Sequence, residues 1–70
     1  MKLNSGYILE EMLKFYGTTN IPRAMKKLAN ELGWHERSIR RMLYYNQYSR
    51  ELLIEASVYL NLAPSQVFIK

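Results

Sequence analysis

The chain has no cysteine, no aspartate and a single histidine, His35. Without cysteine there is no disulfide framework and no thiolate-bound zinc site. One imidazole and a few scattered glutamates leave almost nothing for a metal site or an acid–base pair, and no serine or carboxylate constellation accompanies His35. No enzyme and no cofactor are expected. A hydrophobic run of the ~18 residues that a membrane span needs is also missing. The longest candidate, residues 52–63, is interrupted by Glu55 and several polar side chains. Glu10 and Glu11 stand where a signal peptide would need an apolar segment. The expectation is a cytoplasmic protein, without a membrane partner, that begins at its own Met1.

What is present fits one small domain spanning residues 1–70. Seventy residues bury a limited core, yet 49% of them are hydrophobic, well above the content of a disordered chain. The net charge of +4 is unevenly placed. Residues 22–50 carry Arg23, Lys26, Lys27, Arg37, Arg40, Arg41 and Arg50 against Glu31 and Glu36, a net of +5. The remainder carries Lys2, Lys14 and Lys70 against Glu10, Glu11, Glu51 and Glu55, a net of −1. Solubility alone would not require that segregation, whereas a polyanionic partner would use it.

Four apolar stripes follow the helical period. The first is Ile8, Leu9, Met12, Leu13 and Tyr16, after Asn4 or Ser5 as N-cap and ending at Gly17. The second is Met25, Leu28, Ala29 and Leu32, with Pro22 in a first-turn position and Gly33 past the end. The third is Ile39, Met42 and Leu43. The fourth is Leu52, Leu53, Ala56, Tyr59 and Leu60, entered through Ser49 and followed by Asn61 in a position that suits left-handed geometry. Pro64 opens a last short helix to about residue 69, unless Val67, Phe68 and Ile69 form a short extended tail. The pattern predicts an all-α fold of five helices with short loops.

Residues 28–43 carry the most information. They read as two short helices folded about Gly33, with arginines on the side of the second that faces away from its apolar stripe. Ala29, small and four residues before the glycine, suits a close approach of two backbones. Leu28 and Leu32 pack the first helix, Trp34 is the apolar residue of the turn, and Ile39 and Met42 anchor the second helix. The following segment from Ser49 to Leu62 keeps the register of a closing helix. In these positions the chain resembles the lambda-repressor/Cro-like helix-turn-helix family of phage and bacterial regulators, over roughly residues 6–69. It departs from the family's pattern at Trp34, His35, Leu43 and Tyr45. The resemblance implies a compact five-helix lambda-repressor-like domain and a sequence-specific transcriptional regulator that binds double-stranded DNA, usually as a homodimer.

The recognition helix is then about Glu36–Tyr45. Arg37, Arg40, Arg41 and Tyr44 fall at i, i+3, i+4 and i+7, on one face opposite Ile39, Met42 and Leu43. Arg37 and Arg40 lie nearest the helix start and are assigned to bases, because a guanidinium can take guanine O6 and N7 together. Glu36 either accepts from cytosine N4 or orients Arg40 four residues on. Arg41 and Tyr44 reach bases or phosphates. Lys26 and Lys27, near the start of the preceding helix, are assigned to phosphates, as are Asn46, Gln47 and Arg50 in and after the loop 45–50. Plainer readings stand beside these: a solvated face holding a Glu36–Arg40 pair, Asn46 as a helix cap, Tyr45 and Tyr48 as core cover. Phe68 and Ile69 are candidates for a dimer contact, as is Trp34 if exposed, with intramolecular packing the alternative for Val67 and Phe68. A different function on the same fold is a protein-interaction module, such as an antirepressor that binds a repressor partner.

Overall fold

The computed structural model describes residues 2–69; Met1 and Lys70, the latter counted among the cations above, lie outside the described residues. Four helices are present: α1 (Ser5–Tyr16), α2 (Ile21–Leu32), α3 (Glu36–Tyr45) and α4 (Arg50–Tyr59). Two-residue strands at the chain ends, β1 (Lys2–Leu3) and β2 (Phe68–Ile69), pair antiparallel with Leu3 opposite Phe68. A single 3-10 turn, Pro64–Gln66, precedes β2.

The local chemistry explains each boundary. Asn4 caps α1 by accepting the Tyr7 N–H, and Ser49 caps α4 by accepting that of Leu52. Asn20 caps α2 through the Arg23 N–H, which starts the helix one residue before Pro22. Gly17 (φ 61°) and Gly33 (φ 75°) end α1 and α2 in the left-handed region. Asn46 (φ 55°) ends α3 in the same way, and Asn61 (φ 54°) follows α4.

The fifth helix expected from Pro64 is one 3-10 turn followed by a strand. The reason is long-range. Leu3 and Phe68 pair at the two ends of the chain, and Asn4 N–H donates to Val67 O at 2.8 Å, so that residues 68 and 69 run as extended backbone. The Tyr7 hydroxyl accepts the Ala63 N–H at 2.8 Å and holds the preceding loop against α1.

The core joins all four helices. Ile8 and Met12 of α1, Leu28 and Ala29 of α2, Ile39 and Met42 of α3, and Leu52 and Ala56 of α4 are buried, together with Leu3, Leu62 and Val67 from the ends. Full burial of one such aliphatic side chain contributes ~1.5–3 kcal/mol. A small domain has a net stability of only ~5–15 kcal/mol, so few of these positions are dispensable. Helices α2 and α3 pack most extensively on each other, across the three residues Gly33, Trp34 and His35. Among the described residues no helix is long and apolar enough to cross a membrane.

Candidate nucleic-acid interface

Helix α3 buries one side and exposes the other. Ile39, Met42 and Leu43 are in the core, while Arg37, Arg40 and Arg41 are exposed and Tyr44 is 51% exposed. The buried stripe fixes the outward direction of the arginine side, because side chains three and four apart share a helical face. Glu36, half-buried in the first turn, suits the positive end of the helix dipole. Its carboxylate Oε1 accepts from Arg40 Nη2 at 3.0 Å, so that among the described residues Arg40 is the arginine of this face already paired. His35 precedes the helix as N-cap without a side-chain capping bond.

The two ends of this face lead into different surroundings. On one side Arg41 lines a cleft of about 230 Å³ with Ser38, Trp34, Gln47, Tyr48 and Ser49. The Gln47 N–H donates to the Arg41 carbonyl at 3.1 Å, which brings these two candidate contacts together. Arg50 is exposed in the first turn of α4, next to this cleft. On the other side Tyr44 and Asn46 lie with Lys2, Ser5 and Ile69. Asn46 caps α3 and its Oδ1 accepts the Leu3 N–H at 3.0 Å. That oxygen is therefore engaged inside the molecule, while the amide nitrogen is left to donate to a partner. Tyr48 is half-buried against the core, but Tyr45, at 67%, is the more exposed of the two loop tyrosines.

Helix α2 adds a second basic strip. Lys26 and Lys27 are exposed, and so is Arg23 one turn earlier. The earlier assignment to phosphates omitted Arg23, although its i, i+3, i+4 spacing to the lysines places all three on adjoining positions. Lys27 differs from Lys26 in its surroundings: its Nζ lies 5.9 Å from the centroid of the Tyr16 ring, at the far limit of a cation–π contact. Among the described residues no group lies within hydrogen-bond distance of the buried Tyr16 hydroxyl, and burial first, then the neighbouring Glu31 carboxylate, pushes its pKa up to about 12. Lys14 on α1 is exposed. Hydrogen bonding and charge attraction, from Glu10 first and then Glu11, hold its pKa above the ordinary lysine value.

Away from the arginine face, α4 and the chain end form an apolar groove of about 240 Å³. Leu53, Ile54, Val58, Leu62 and Phe68 line it, and Ile54 and Val58 are 50% and 75% exposed. Of the earlier dimer candidates, Phe68 is half-buried in this groove and Ile69 points to the opposite side of its strand, near Tyr44. Among the described residues no group of three or more histidine, cysteine, aspartate or glutamate side chains is placed to hold a metal ion. Compared with known proteins, the chain matches no family model, no curated protein and no solved structure.

Proposed function

We propose that this protein is a sequence-specific DNA-binding transcriptional regulator, in which α2, the Gly33 turn and α3 act as a helix-turn-helix of the lambda-repressor/Cro-like kind. The observation that carries the reading is the exposed row Arg37, Arg40, Arg41 and Tyr44 on the outer side of a helix whose inner side is locked into the core. A helix so presented fits the ~12 Å width of the major groove, and arginine is the side chain that most often reads guanine there. Arg37 and Arg40, nearest the start of α3, contact bases, with Glu36 orienting Arg40 or accepting from cytosine. Arg41 and Tyr44 extend the contact to bases or phosphates. Lys26, Lys27, Asn46, Gln47 and Arg50 engage the DNA backbone.

A module this small covers few base pairs, and binding as a homodimer doubles the site. The groove beside Ile54 and Val58 supports such a dimer. None of its lining side chains is charged, so a contact between two copies there buries no unpaired charge. The same groove is the observation that favours the second reading, a repressor protein bound in place of DNA as the main partner.

Selection of bound sequences from random duplex DNA at moderate salt tests both. The expected result is a palindromic motif whose half-sites lie about one helical turn apart. Recovery of no motif overturns the DNA reading and moves the weight to a protein partner.

A further inference from the structure

Among the described residues, a single side chain-to-side chain hydrogen bond joins two different elements. Trp34 Nε1 donates to Glu55 Oε2 at 2.9 Å, across 21 positions of sequence. It runs from the turn before α3 to the middle of α4. The indole is otherwise well fixed: its ring packs half-buried against the core, and the Trp34 backbone N–H donates to Ala29 O at 2.9 Å. Glu55, itself exposed, thus holds the tip of a side chain whose ring is packed against the core. Two residues later α3 begins. At its other end, Asn46 accepts the Leu3 N–H. The helix is tied at its start to α4 and at its end to β1, in addition to its apolar packing.

We infer that Trp34 and Glu55 are positioning residues that fix the pose of α3, and that this brace governs discrimination between DNA sequences more than overall affinity. The inference rests on the DNA reading above. The packing of Ile39, Met42 and Leu43 fixes which side of α3 faces outward, but the hydrophobic attraction behind it is non-directional and leaves the fine setting of the helix start to other contacts. A hydrogen bond at the helix start is directional and resists small rotations. The two kinds of DNA contact differ in tolerance. Lysine and arginine follow a displaced phosphate on flexible stems, whereas a bidentate arginine–guanine pair needs both donors in place. Loosening the brace therefore removes base reading first.

Three variants separate the hydrogen bond from the charge. Glu55→Ala and Glu55→Gln both lose the carboxylate charge, but only Gln retains an acceptor. Trp34→Phe keeps the ring and the charge and loses the donor. The measurement is the ratio of affinities for a duplex recovered by selection and a random duplex of equal length, with the salt dependence of the random duplex alongside. The ratio should fall about tenfold in Glu55→Ala and Trp34→Phe and stay within about twofold of wild type in Glu55→Gln, because only directional contacts are lost. In Trp34→Phe the salt slope should be unchanged. Wild-type ratios in all three variants, or equal losses in Gln and Ala, overturn the brace. If the wild-type protein selects no duplex, the DNA reading falls by itself, and the brace is read in the free protein. There the Ile39, Arg40 and Arg41 amides should exchange with solvent about tenfold faster in Glu55→Ala and Trp34→Phe than in Glu55→Gln. Equal exchange overturns it.

Discussion

Arg40 Nη2 and Glu36 Oε1 lie 3.0 Å apart, one turn from each other on the exposed side of α3. Both side chains are open to water, at 49% and 37%, so the pair contributes ~0.5 kcal/mol or less to the fold. Its interest lies in what it does to Arg40: the guanidinium is held in one direction with donors to spare. If Arg40 reads a base, Arg40→Ala should weaken binding to a selected sequence by ~1–3 kcal/mol and relax one base position. Glu36→Gln should act in the opposite sense on random DNA, binding it several-fold more tightly, with a log–log salt slope steeper by up to about 0.9 as one more cation reaches phosphate. Binding titrations at several salt concentrations distinguish these outcomes. An Arg40→Ala protein with unchanged affinity and preference would reduce the pair to a solvated ornament of the helix.

At Gly33, geometry separates two effects that substitutions usually mix. Its φ is 75°, and a Cβ built on it meets no atom within 4 Å. Any loss on substitution is therefore backbone strain, without a clash. Gly33→Asn should cost ~1 kcal/mol and Gly33→Val distinctly more, since asparagine tolerates left-handed geometry and a β-branched residue does not. Urea denaturation of the two variants gives the comparison, and equal stabilities would contradict it.

How much of this was legible in the sequence follows from the range of each interaction. The four long helices were readable because their signals are local: apolar spacing, Ser49 before α4, glycine after α1 and α2. Asn20, between Gly17 and Pro22, is a local signal too, although the spacing of apolar residues does not point to it. Its cap begins α2 at Ile21 and leaves three residues, 18–20, outside the helices and the Gly17 cap. The chain ends were not readable in the same way. Pro64 suits the first turn of any helix, and what stops the helix there is a pairing of Phe68 with Leu3, invisible to any local window. The same holds at the site. The outward row of arginines followed from period alone, while the Trp34–Glu55 brace and the Asn46–Leu3 tie join residues 21 and 43 positions apart.

Asn46 combines two roles that can be removed one at a time. It occupies left-handed backbone at φ 55°, and its Oδ1 satisfies the Leu3 N–H. Asn46→Gly loses the hydrogen bond, worth ~1 kcal/mol net, but gains a residue at ease in that conformation. Asn46→Ala loses both and should cost ~2 kcal/mol. The predicted order of stability is wild type, then Gly, then Ala, read from thermal or denaturant melts. A glycine variant less stable than the alanine one would show that the backbone conformation plays no part.

Tyr16 supplies a prediction at alkaline pH. Its hydroxyl is buried without a partner, and burial, assisted by the Glu31 charge, raises its pKa from 10.0 to about 12. A folded-state pKa above the unfolded one means that the native protein holds the phenolic proton longer than the unfolded chain does. The contribution to stability is thus complete below pH 10 and declines as pH rises towards about 12. Tyr16→Phe abolishes that titration, so the difference in stability between wild type and variant should shift in favour of Phe across this window. Below it, removal of an unpartnered buried hydroxyl should be neutral or stabilising by ~1 kcal/mol. Denaturation of both proteins at pH 8, 10 and 11, at constant ionic strength, isolates the effect, because the lysines that titrate nearby are common to both. Parallel curves would mean that the hydroxyl gives up its proton as readily in the fold as in water.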